Sequence, residues 1–167
     1  MTGVISMLPA TSVRTFEASI RPLMPNLLAY FTRRVIPSAD AADCLSETLV
    51  VLWRRRSELP TDDDGVRAWS YGIAKGVLAN HVRSQNRHTR LAARLREHLT
   101  RSPPPVTIDD GLTGALAILS DSDKELLFLV AWDGFGVGEA GELLGLTAEA
   151  ARARYSRARK ALRAQLH

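Results

Sequence analysis

The stretch EAGELLGLTAEAARARYSRARKAL, residues 139–162, decides the fold of the C-terminal part of the chain. Gly145 favours the left-handed backbone conformation that reverses a chain at the end of a short helix. Leu146 follows as an apolar plug for the turn, and Thr147 is a suitable N-cap for the next helix. Glu149 lies in the first turn of that helix, where a negative charge complements the helix dipole. The stretch therefore predicts two helices joined by a tight turn, a helix-turn-helix.

The second helix of this motif, predicted from Ala148 to about Leu166, has two different faces. Apolar side chains recur at helical steps along one face: Ala151, Tyr155, Ala158, Leu162 and Leu166. A basic face runs beside them and consists of Arg152, Ser156, Arg159 and Arg163, with Arg154 and Arg157 on its flanks. A helix that packs by one face and presents arginines on the other fits the major groove of double-stranded DNA. An ordinary surface helix with a solvated arginine face would show the same spacing.

The charge of the chain is distributed in blocks. Hydrophobic residues make up 46% of the sequence, as in globular proteins, and the formal net charge is +4. Six arginines and one acid lie between Arg83 and Arg101, whereas acids dominate from Asp109 to Glu149. From Arg152 to Arg163 the chain is basic again and contains no acid. Two arginine-rich blocks suit a polyanionic partner, because guanidinium groups bind phosphates in a bidentate manner.

A proline-rich segment, RSPPPVTIDD at residues 101–110, lies between the two arginine-rich blocks. Its three consecutive prolines cannot continue a helix and favour an extended linker. No strand-like alternation persists elsewhere along the chain. The sequence therefore predicts an all-α protein with two small helical domains, at residues 1–100 and 111–167, joined by a linker at residues 101–110. In the second domain, Ser120 or Asp121 is expected to cap a helix that precedes the helix-turn-helix.

Three helices are predicted in the N-terminal domain. The first spans residues 11–35 and is interrupted near its middle by Pro22 and Pro25. The second follows Ser38, a candidate N-cap, and ends near Ser57. Its predicted buried stripe is Ala41, Leu45, Leu49 and Leu52. The third begins after a polar loop, residues 58–65, and continues into the first arginine-rich block. Its predicted buried stripe is Val66, Trp69, Ile73 and Val77.

Several classes of function are disfavoured by what the sequence lacks. Cys44 is the only cysteine, which excludes an internal disulfide; it is expected to be a buried small hydrophobe, with a redox sensor as the alternative. The four histidines have no metal-ligand spacing, so neither a metal nor a cofactor is predicted. No apolar run approaches the roughly 20 residues of a membrane helix, and no signal peptide is evident, so a cytoplasmic protein without membrane insertion is expected. No catalytic constellation is present, so the chain is not expected to be an enzyme.

Three segments of the chain, taken together, resemble the sigma-70 family of bacterial transcription factors. The helix-turn-helix, which ends in Arg157-Ala158-Arg159-Lys160, resembles region 4.2 of that family. The segment Asp40-Ala41-Ala42-Asp43, with Glu47-Thr48 and Trp53-Arg54 downstream, resembles region 2.2. The segment Arg67-Ala68-Trp69 resembles regions 2.3 and 2.4. It is followed by Tyr71, Ile73-Ala74, Asn80 and the first arginine-rich block. Because there is room for regions 2 and 4 but not for regions 1.1 or 3, the chain resembles the extracytoplasmic-function (ECF) group, over residues 16–165.

This resemblance implies a sigma factor that binds core RNA polymerase and directs promoter-specific initiation of transcription. The second helix would dock on the β′ coiled-coil of the polymerase, through Asp40, Asp43, Glu47, Val50 and Arg54. The β flap, promoter DNA and a probable anti-sigma factor are the other implied partners. The implied contacts to the promoter −10 element are Tyr71, Asn80, His81, Arg83, Ser84 and Arg87, of which Tyr71 and His81 would stack on bases. The implied contacts to the −35 element are Thr147, Glu149, Ala150, Arg152, Ala153, Arg154, Ser156, Arg157, Arg159 and Lys160.

Three features depart from the family pattern. Residues 62–64 are three consecutive aspartates in the loop where the family captures a flipped base, and acids near a phosphate backbone are repulsive. Glycines interrupt two predicted helices, at Gly72, Gly76, Gly138 and Gly141, and each is expected to cost about 1 kcal/mol relative to alanine. The helix-turn-helix is therefore expected to be weakly stable without a partner. Ala150 and Ala153 replace polar base-reading residues, so direct base readout is expected to be sparse.

Two other functions remain open from the sequence. A free-standing DNA-binding regulator with a LuxR-like output domain would share the helix-turn-helix but would not need the second-helix interface or the −10 residues. An adaptor that binds polymerase or an anti-sigma factor without productive DNA contact would tolerate the glycines and alanines. Run-off transcription with core polymerase separates both from a sigma factor.

Overall fold

A computed structural model describes residues 10–99 and 111–165, and all regular structure in these residues is helical. The α-helices of this part of the chain are α1 (Ala10–Ile20), α2 (Met24–Arg34), α3 (Ala41–Arg54), α4 (Asp63–Leu99), α5 (Gly111–Ala117), α6 (Asp121–Ala131), α7 (Val137–Leu143) and α8 (Ala148–Gln165). The predicted all-α class is confirmed. The chain divides into two compact units after Gln85, within α4. The predicted linker lies outside the described residues.

Prolines shape the first unit as predicted. A short 3-10 turn, Arg21–Leu23, separates α1 from α2. Pro22 lies in the first turn of the 3-10 segment and Pro25 lies in the first turn of α2. A proline at these positions removes no helical hydrogen bond, because the first N–H groups of a helix have no intrahelical acceptor. The predicted interruption is therefore a bend between two helices.

The start of α3 differs from the prediction. Ser38 opens a 3-10 turn, Ser38–Asp40, and α3 begins three residues later at Ala41. No side chain caps α3, so the prediction of Ser38 as its N-cap was wrong. The 3-10 turn supplies backbone bonds at the place where a capping side chain was expected, since the amide of Asp40 donates to the carbonyl oxygen of Pro37 at 3.1 Å.

The buried side of α3 is also rotated from the predicted leucine stripe. The buried residues are Ala41, Cys44, Thr48 and Leu52, whereas Leu45 and Leu49 are half-buried. Thr48 can occupy a core position because its hydroxyl donates to the carbonyl oxygen of Cys44 at 2.8 Å, which satisfies the buried donor within the helix.

The three aspartates belong to the N-terminus of α4 rather than to a long loop. The carboxylate of Asp62 accepts a hydrogen bond from the amide of Gly65 at 2.8 Å, which is N-cap geometry. Asp63 and Asp64 lie in the first helical turn, where their charges complement the helix dipole. The helix therefore begins earlier than predicted, at Asp63. A Cβ atom at Gly65 would lie 2.8 Å from the Asp62 carboxylate and 2.9 Å from the Cβ of Pro60, so a side chain there would displace one of these groups.

The core of the first unit joins α1, α3 and α4. Its buried cluster consists of Ile20, Leu52, Val66 and Ile73, with Trp69 among the half-buried residues packed against it. The predicted burial of Val66, Ile73 and Val77 on α4 is confirmed. Ser70 is also buried on this helix, because its hydroxyl donates to the carbonyl oxygen of Val66 at 2.7 Å.

The second unit packs α6, α7 and α8 around a small core. Its buried residues include Leu126, Leu129, Phe135, Ala140, Ala151 and Ala158. Ser120 is the N-cap of α6, and its hydroxyl accepts from the amide of Asp123 at 3.1 Å, as predicted. At the start of α7, the Glu139 carboxylate accepts from the amide of Gly136 at 2.9 Å. A side chain therefore caps the N-terminus of α6, and at α7 the Glu139 side chain satisfies the amide of the N-cap residue.

Candidate nucleic-acid interface and docking surface

The turn between α7 and α8 has the predicted geometry. Gly145 adopts φ 71°, the left-handed conformation, and its amide donates to the carbonyl oxygen of Glu142 at 3.0 Å. The amide of Leu146 donates to the carbonyl oxygen of Gly141 at 2.8 Å, which closes the helix end. The hydroxyl of Thr147 accepts from the amide of Ala150 at 3.2 Å, as expected of an N-cap. The helix-turn-helix predicted from residues 139–162 is confirmed.

Gly141 has a different role from the one expected. A Cβ atom built on Gly141 would lie 2.4 Å from the Cβ of Ala151 on α8. The glycine therefore lets α7 approach α8 more closely than any side chain would permit. Gly138 has no such constraint, since its nearest neighbour, the Cβ of Ala148, would lie at 3.7 Å. The interpretation of Gly141 as a destabilising interruption was wrong, because the close packing of the motif depends on it.

The two faces of α8 are arranged as the spacing predicted. Ala151 and Ala158 are buried, Tyr155 and Leu162 are half-buried, and Leu166 lies outside the described residues. The exposed residues of the predicted −35 surface are Thr147, Glu149, Arg152, Ala153, Ser156, Arg157, Arg159 and Lys160. Ala150 is half-buried at the edge of this surface. The outward face of α8 therefore presents a dense set of guanidinium groups.

Arg154 is held differently from the other arginines of α8. Its Nε atom lies 3.6 Å from Oδ1 of Asp123, and its guanidinium donates to the hydroxyl oxygen of Ser122 at 3.3 Å. These contacts join α8 to the N-terminus of α6. The sequence spacing placed Arg154 on the flank of the basic face but did not indicate this ion pair.

On α4, the residues predicted to contact the −10 element fall into two groups. Asn80, Arg83 and Arg87 are exposed, and Ser84 is half-buried on a neighbouring side of the helix. The guanidinium of Arg83 donates to the side-chain oxygen of Asn80, which orients both groups on one surface. These four residues form a continuous polar surface on α4.

Tyr71 and His81 do not share that surface. Tyr71 is only 2% exposed and packs edge-on against Tyr30 at 5.4 Å between ring centroids. The prediction that Tyr71 is available for stacking on bases was therefore wrong, because the ring completes the core between α2 and α4. His81 is half-buried, with Nε2 3.8 Å from a carboxylate oxygen of Asp40. Gln85 donates to the same oxygen at 3.1 Å, so Asp40 is oriented towards α4.

The outward face of α3 carries the other predicted polymerase contacts, Asp43, Glu47, Val50 and Arg54, all of which are exposed. An apolar groove of about 580 Å³ lies beside this face, between α3 and the α1–α2 bend. Its lining includes Phe16, Ile20, Met24, Leu49 and Trp53. The sequence analysis did not identify this groove, although Leu45, Leu49 and Trp53 recur at steps of four along α3.

A second groove, of about 440 Å³, lies on the other side of α3, between α3 and α4. Glu47, Val51 and Arg55 line it from α3. Gly72 and Gly76 line it from α4, and a Cβ atom at either glycine would meet nothing within 4 Å. These two glycines therefore keep the groove open, and the fold itself does not require them.

Cys44 is a buried free thiol, as predicted. Burial raises the pKa of the Cys44 thiol, and the negative charges of Glu47, Asp40 and Asp43 raise it further. The thiol therefore stays protonated, and reactive cysteines depend on the thiolate. This environment favours the packing role over the redox sensor.

The second unit has a partly exposed aromatic pair that the sequence analysis missed. Trp132 is 43% exposed at the end of α6 and stacks on Phe128, with 4.3 Å between ring centroids. The two residues are four positions apart, and this spacing was the signal in the sequence that could have identified the pair.

Within the described residues, no helix is both long enough and apolar enough to span a bilayer.

Comparison with known proteins identifies both units. The model of sigma-70 region 2 matches residues 20–88, and the model of sigma-70 region 4 matches residues 110–162. An ECF RNA polymerase sigma factor, SigF of Caulobacter vibrioides (strain NA1000 / CB15N), is 31% identical over 140 residues, which is 81% of this chain and 76% of SigF.

Two solved structures have a similar fold. The sigma factor RpoE, in its co-crystal structure with the anti-sigma factor NepR from Bartonella quintana, has a TM-score of 0.64 at 21% identity; the match covers 92% of this chain and 97% of RpoE. CnrH, in complex with the cytosolic domain of CnrY, has a TM-score of 0.65 at 24% identity. The match covers 92% of this chain and 88% of CnrH. With both regions matched in order and a curated relative above 30% identity, the chain belongs to the ECF group of the sigma-70 family: it is an RNA polymerase sigma factor that directs promoter-specific initiation of transcription.

Proposed function

We propose that the two parts of the chain bind different partners during initiation. Residues 1–100 bind core polymerase and the −10 element, residues 111–167 bind the −35 element, and residues 101–110 link them. The observation that carries this assignment is the arrangement of α8, which is anchored by Ala151 and Ala158 and exposes its arginines on the opposite side. The chain contributes binding energy to initiation, and the chemistry of RNA synthesis belongs to the polymerase.

The −35 element is read by the outward face of α8. Arg152, Arg157 and Arg159 are exposed and suit phosphates and guanine edges, whereas Ala153 offers only apolar contact, which suits a thymine methyl group. Direct readout is therefore sparse, and phosphate contacts supply most of the affinity. Arg154 acts differently from the arginines of the basic face, since its contacts to Asp123 and Ser122 fix α8 against α6.

We expect the double substitution Arg152→Ala with Arg159→Ala to weaken binding to the −35 element and to lower its salt dependence. Each phosphate contact contributes about 0.9 to the slope of log K against log salt, so two lost contacts lower the slope by roughly 1.8. Anisotropy titrations of the holoenzyme on promoter duplexes at several salt concentrations measure this slope. Lys124→Ala removes a positive charge from α6 and serves as the control. An unchanged slope for the double variant would show that this face does not contact DNA.

Core polymerase docks on the outward face of α3. Asp43, Glu47 and Arg54 provide charged contacts around Val50, which is 47% exposed. The neighbouring apolar groove, with Met24 and Trp53 in its lining, extends this surface and accepts apolar side chains of the β′ coiled-coil. Asp40 contributes less directly, because its carboxylate is already bound by Gln85.

The −10 element contacts the polar surface of α4 formed by Asn80, Arg83, Ser84 and Arg87. The open groove between α3 and α4 adjoins this surface, since Asn80 lines both. His81 supports the surface from its edge by its approach to Asp40. Because Asp62, Asp63 and Asp64 are used at the N-terminus of α4, their charges are partly compensated by the helix dipole.

An anti-sigma factor is the proposed regulatory partner. RpoE, whose fold this chain shares, was solved with the anti-sigma factor NepR, and CnrH, of similar fold, was solved with the cytosolic domain of CnrY. An apolar segment of such a partner would suit the groove of Phe16, Met24 and Trp53. Occupation of that groove would compete with the polymerase for the adjoining face of α3.

Run-off transcription with core polymerase and a genomic promoter library tests the proposed function. We expect promoter-dependent products only when the full chain is added. A LuxR-like regulator would bind DNA without core polymerase, and an adaptor would bind polymerase without new products. Absence of any promoter-dependent product across the library would refute the sigma-factor assignment.

A further inference from the structure

The polar surface of α4 that is proposed to bind the −10 element lies beyond the apolar core of the first unit. After Val77, no side chain of α4 whose burial is described is fully buried, and the surface begins only at Asn80. At the level of Asn80, the groove of about 440 Å³ separates α4 from Glu47 of α3. Apolar packing therefore does little to fix this part of α4 relative to α3.

Asp40 occupies the N-cap position of α3, but its side chain makes no capping hydrogen bond. An aspartate at an N-cap ordinarily accepts a hydrogen bond from an amide of the first helical turn. Here the preceding 3-10 turn is closed by the backbone instead, since the amide of Asp40 donates to the carbonyl oxygen of Pro37 at 3.1 Å. The carboxylate of Asp40 is therefore available to another element.

That carboxylate faces α4. Its Oδ2 atom accepts a hydrogen bond from Nε2 of Gln85 at 3.1 Å and lies 3.8 Å from Nε2 of His81. Nε2 of His81 is buried and has no hydrogen-bond partner within the described part of the chain, so the carboxylate is the charged group that it approaches. Because His81 and Gln85 are four residues apart, one carboxylate contacts two successive turns of α4.

The same two turns carry the proposed −10 surface. Successive residues of a helix are rotated by about 100°, so Ser84 lies roughly 60° around the axis from His81 and about 100° from Gln85. Asn80 directly precedes His81. A rotation or shift of α4 on the side of His81 and Gln85 would therefore displace the polar surface by a similar amount.

We propose that Asp40 is a positioning residue for recognition of the −10 element, and that it fixes the polar surface of α4 relative to α3 through Gln85 and His81. This inference rests on the proposed function. It removes Asp40 from the polymerase contacts, because the oxygen that would meet a polymerase side chain is already bound to α4. It also joins the helix that binds polymerase to the helix that binds the promoter.

Alanine variants at two neighbouring acids separate positioning from polymerase binding. Asp43→Ala removes a proposed polymerase contact, and we expect weaker binding of core polymerase in surface plasmon resonance. Asp40→Ala should bind core polymerase with wild-type affinity. Its holoenzyme should lose about tenfold in affinity for a single-stranded −10 oligonucleotide, the effect of one lost hydrogen bond to a charged group. Affinity for a duplex that carries only the −35 element should stay unchanged.

An exchange of the two hydrogen-bonding groups gives a result that a folding defect would not produce. Gln85→Glu places two carboxylates together, and we expect it to weaken −10 binding at least as much as Asp40→Ala. Asp40→Asn added to Gln85→Glu restores a hydrogen bond with donor and acceptor reversed, and it restores the net charge of the pair. This double variant should recover most of the −10 affinity. Asparagine is also a favourable N-cap residue, so the start of α3 is retained.

The −10 oligonucleotide is the non-template strand of a promoter recovered by run-off transcription, and a strand with a scrambled −10 sequence is its control. Wild-type holoenzyme should prefer the −10 strand, and circular dichroism checks the helix content of each variant. Asp40→Asn alone should bind the −10 strand almost normally, because its amide oxygen still accepts from Gln85. If Asp40→Ala does not fold, the Gln85→Glu variant and its rescue measure the same contact.

Three results would overturn this inference. In the first, Asp40→Ala weakens core binding as strongly as Asp43→Ala, which would make Asp40 a polymerase contact. In the second, Asp40→Ala binds both core polymerase and the −10 strand normally, which leaves the proposed function intact. In the third, Asp40→Asn does not improve Gln85→Glu, so the two groups are not coupled. If wild-type holoenzyme does not prefer the −10 strand over the scrambled strand, the proposed function fails and this inference fails with it.

Discussion

Gly141→Ala is expected to destabilise the helix-turn-helix by about 1–3 kcal/mol, the usual range for an overpacked core position. The new Cβ atom would lie 2.4 Å from that of Ala151, so α7 and α8 would have to separate. Alanine is otherwise the better helix former by about 1 kcal/mol, so any destabilisation reports the steric contact. Hydrogen exchange of the full chain, followed by mass spectrometry, measures the amides of α7 and α8 separately from the first unit.

Two further variants make this prediction specific. Gly138→Ala is the matched control, because its nearest neighbour lies at 3.7 Å, and we expect it to be neutral or stabilising. Ala151→Gly in the Gly141→Ala background exchanges the two residues across the contact and should restore most of the protection from exchange. If the double variant is as unstable as the sum of the single variants, the contact does not determine the packing of α7 on α8.

The Gly141→Ala variant should also lose affinity for the −35 element. Separation of α7 from α8 changes the position of a helix whose contacts depend on placement within the major groove. The exchange variant should recover binding along with stability. Because binding is expected to depend on the packing of α7 on α8, Gly141 would position the proposed DNA-binding surface without contacting DNA.

Glu47→Arg is expected to weaken the binding of core polymerase by on the order of 2 kcal/mol, about thirtyfold in Kd, because it reverses a charge on the proposed interface, and like charges across an interface repel. Glu47 is exposed on α3, and arginine is a good helix former, so the fold should persist. Surface plasmon resonance with immobilised core polymerase measures the affinity, and circular dichroism checks the helix content.

Glu97→Arg is the charge-matched control for this variant. It introduces the same change at an exposed acid of α4, outside the α3 face, and we expect normal binding of core polymerase. Glu47→Gln should give an intermediate effect, because it removes the negative charge without adding a positive one. Normal holoenzyme formation by Glu47→Arg would place the polymerase contact elsewhere on the first unit.

Local signals in the sequence predicted the features that depend on neighbours along the chain. Gly145 and Thr147 encode the turn of the helix-turn-helix through backbone conformation and capping, and both were found as predicted. Pro22 and Pro25 encode the bend between α1 and α2 because proline lacks an N–H group. The basic face of α8 follows from helical periodicity. These interactions span at most four residues, so a sequence is sufficient to identify them.

Long-range packing decided the features that the sequence did not predict correctly. Tyr71 has the polarity of a stacking residue, but its ring fills the space beside Tyr30. Arg154 has the spacing of a DNA contact, but Asp123, distant in sequence, lies within 3.6 Å of it. Nothing local distinguishes such residues from their exposed neighbours, because burial and ion pairing depend on which other helix lies opposite.

The glycines show most clearly the difference between what local sequence determines and what long-range packing determines. The sequence by itself indicated only that Gly72, Gly76, Gly138 and Gly141 lower the local helix propensity, although α4 and α7 continue through them. Only the tertiary structure decided that a side chain at Gly141 would overlap α8, whereas side chains at Gly72 and Gly76 would project into an open groove. The helical propensity of glycine is a property of one residue and its own helix. Its packing role depends on how closely a second helix approaches, and that distance exists only in the folded chain.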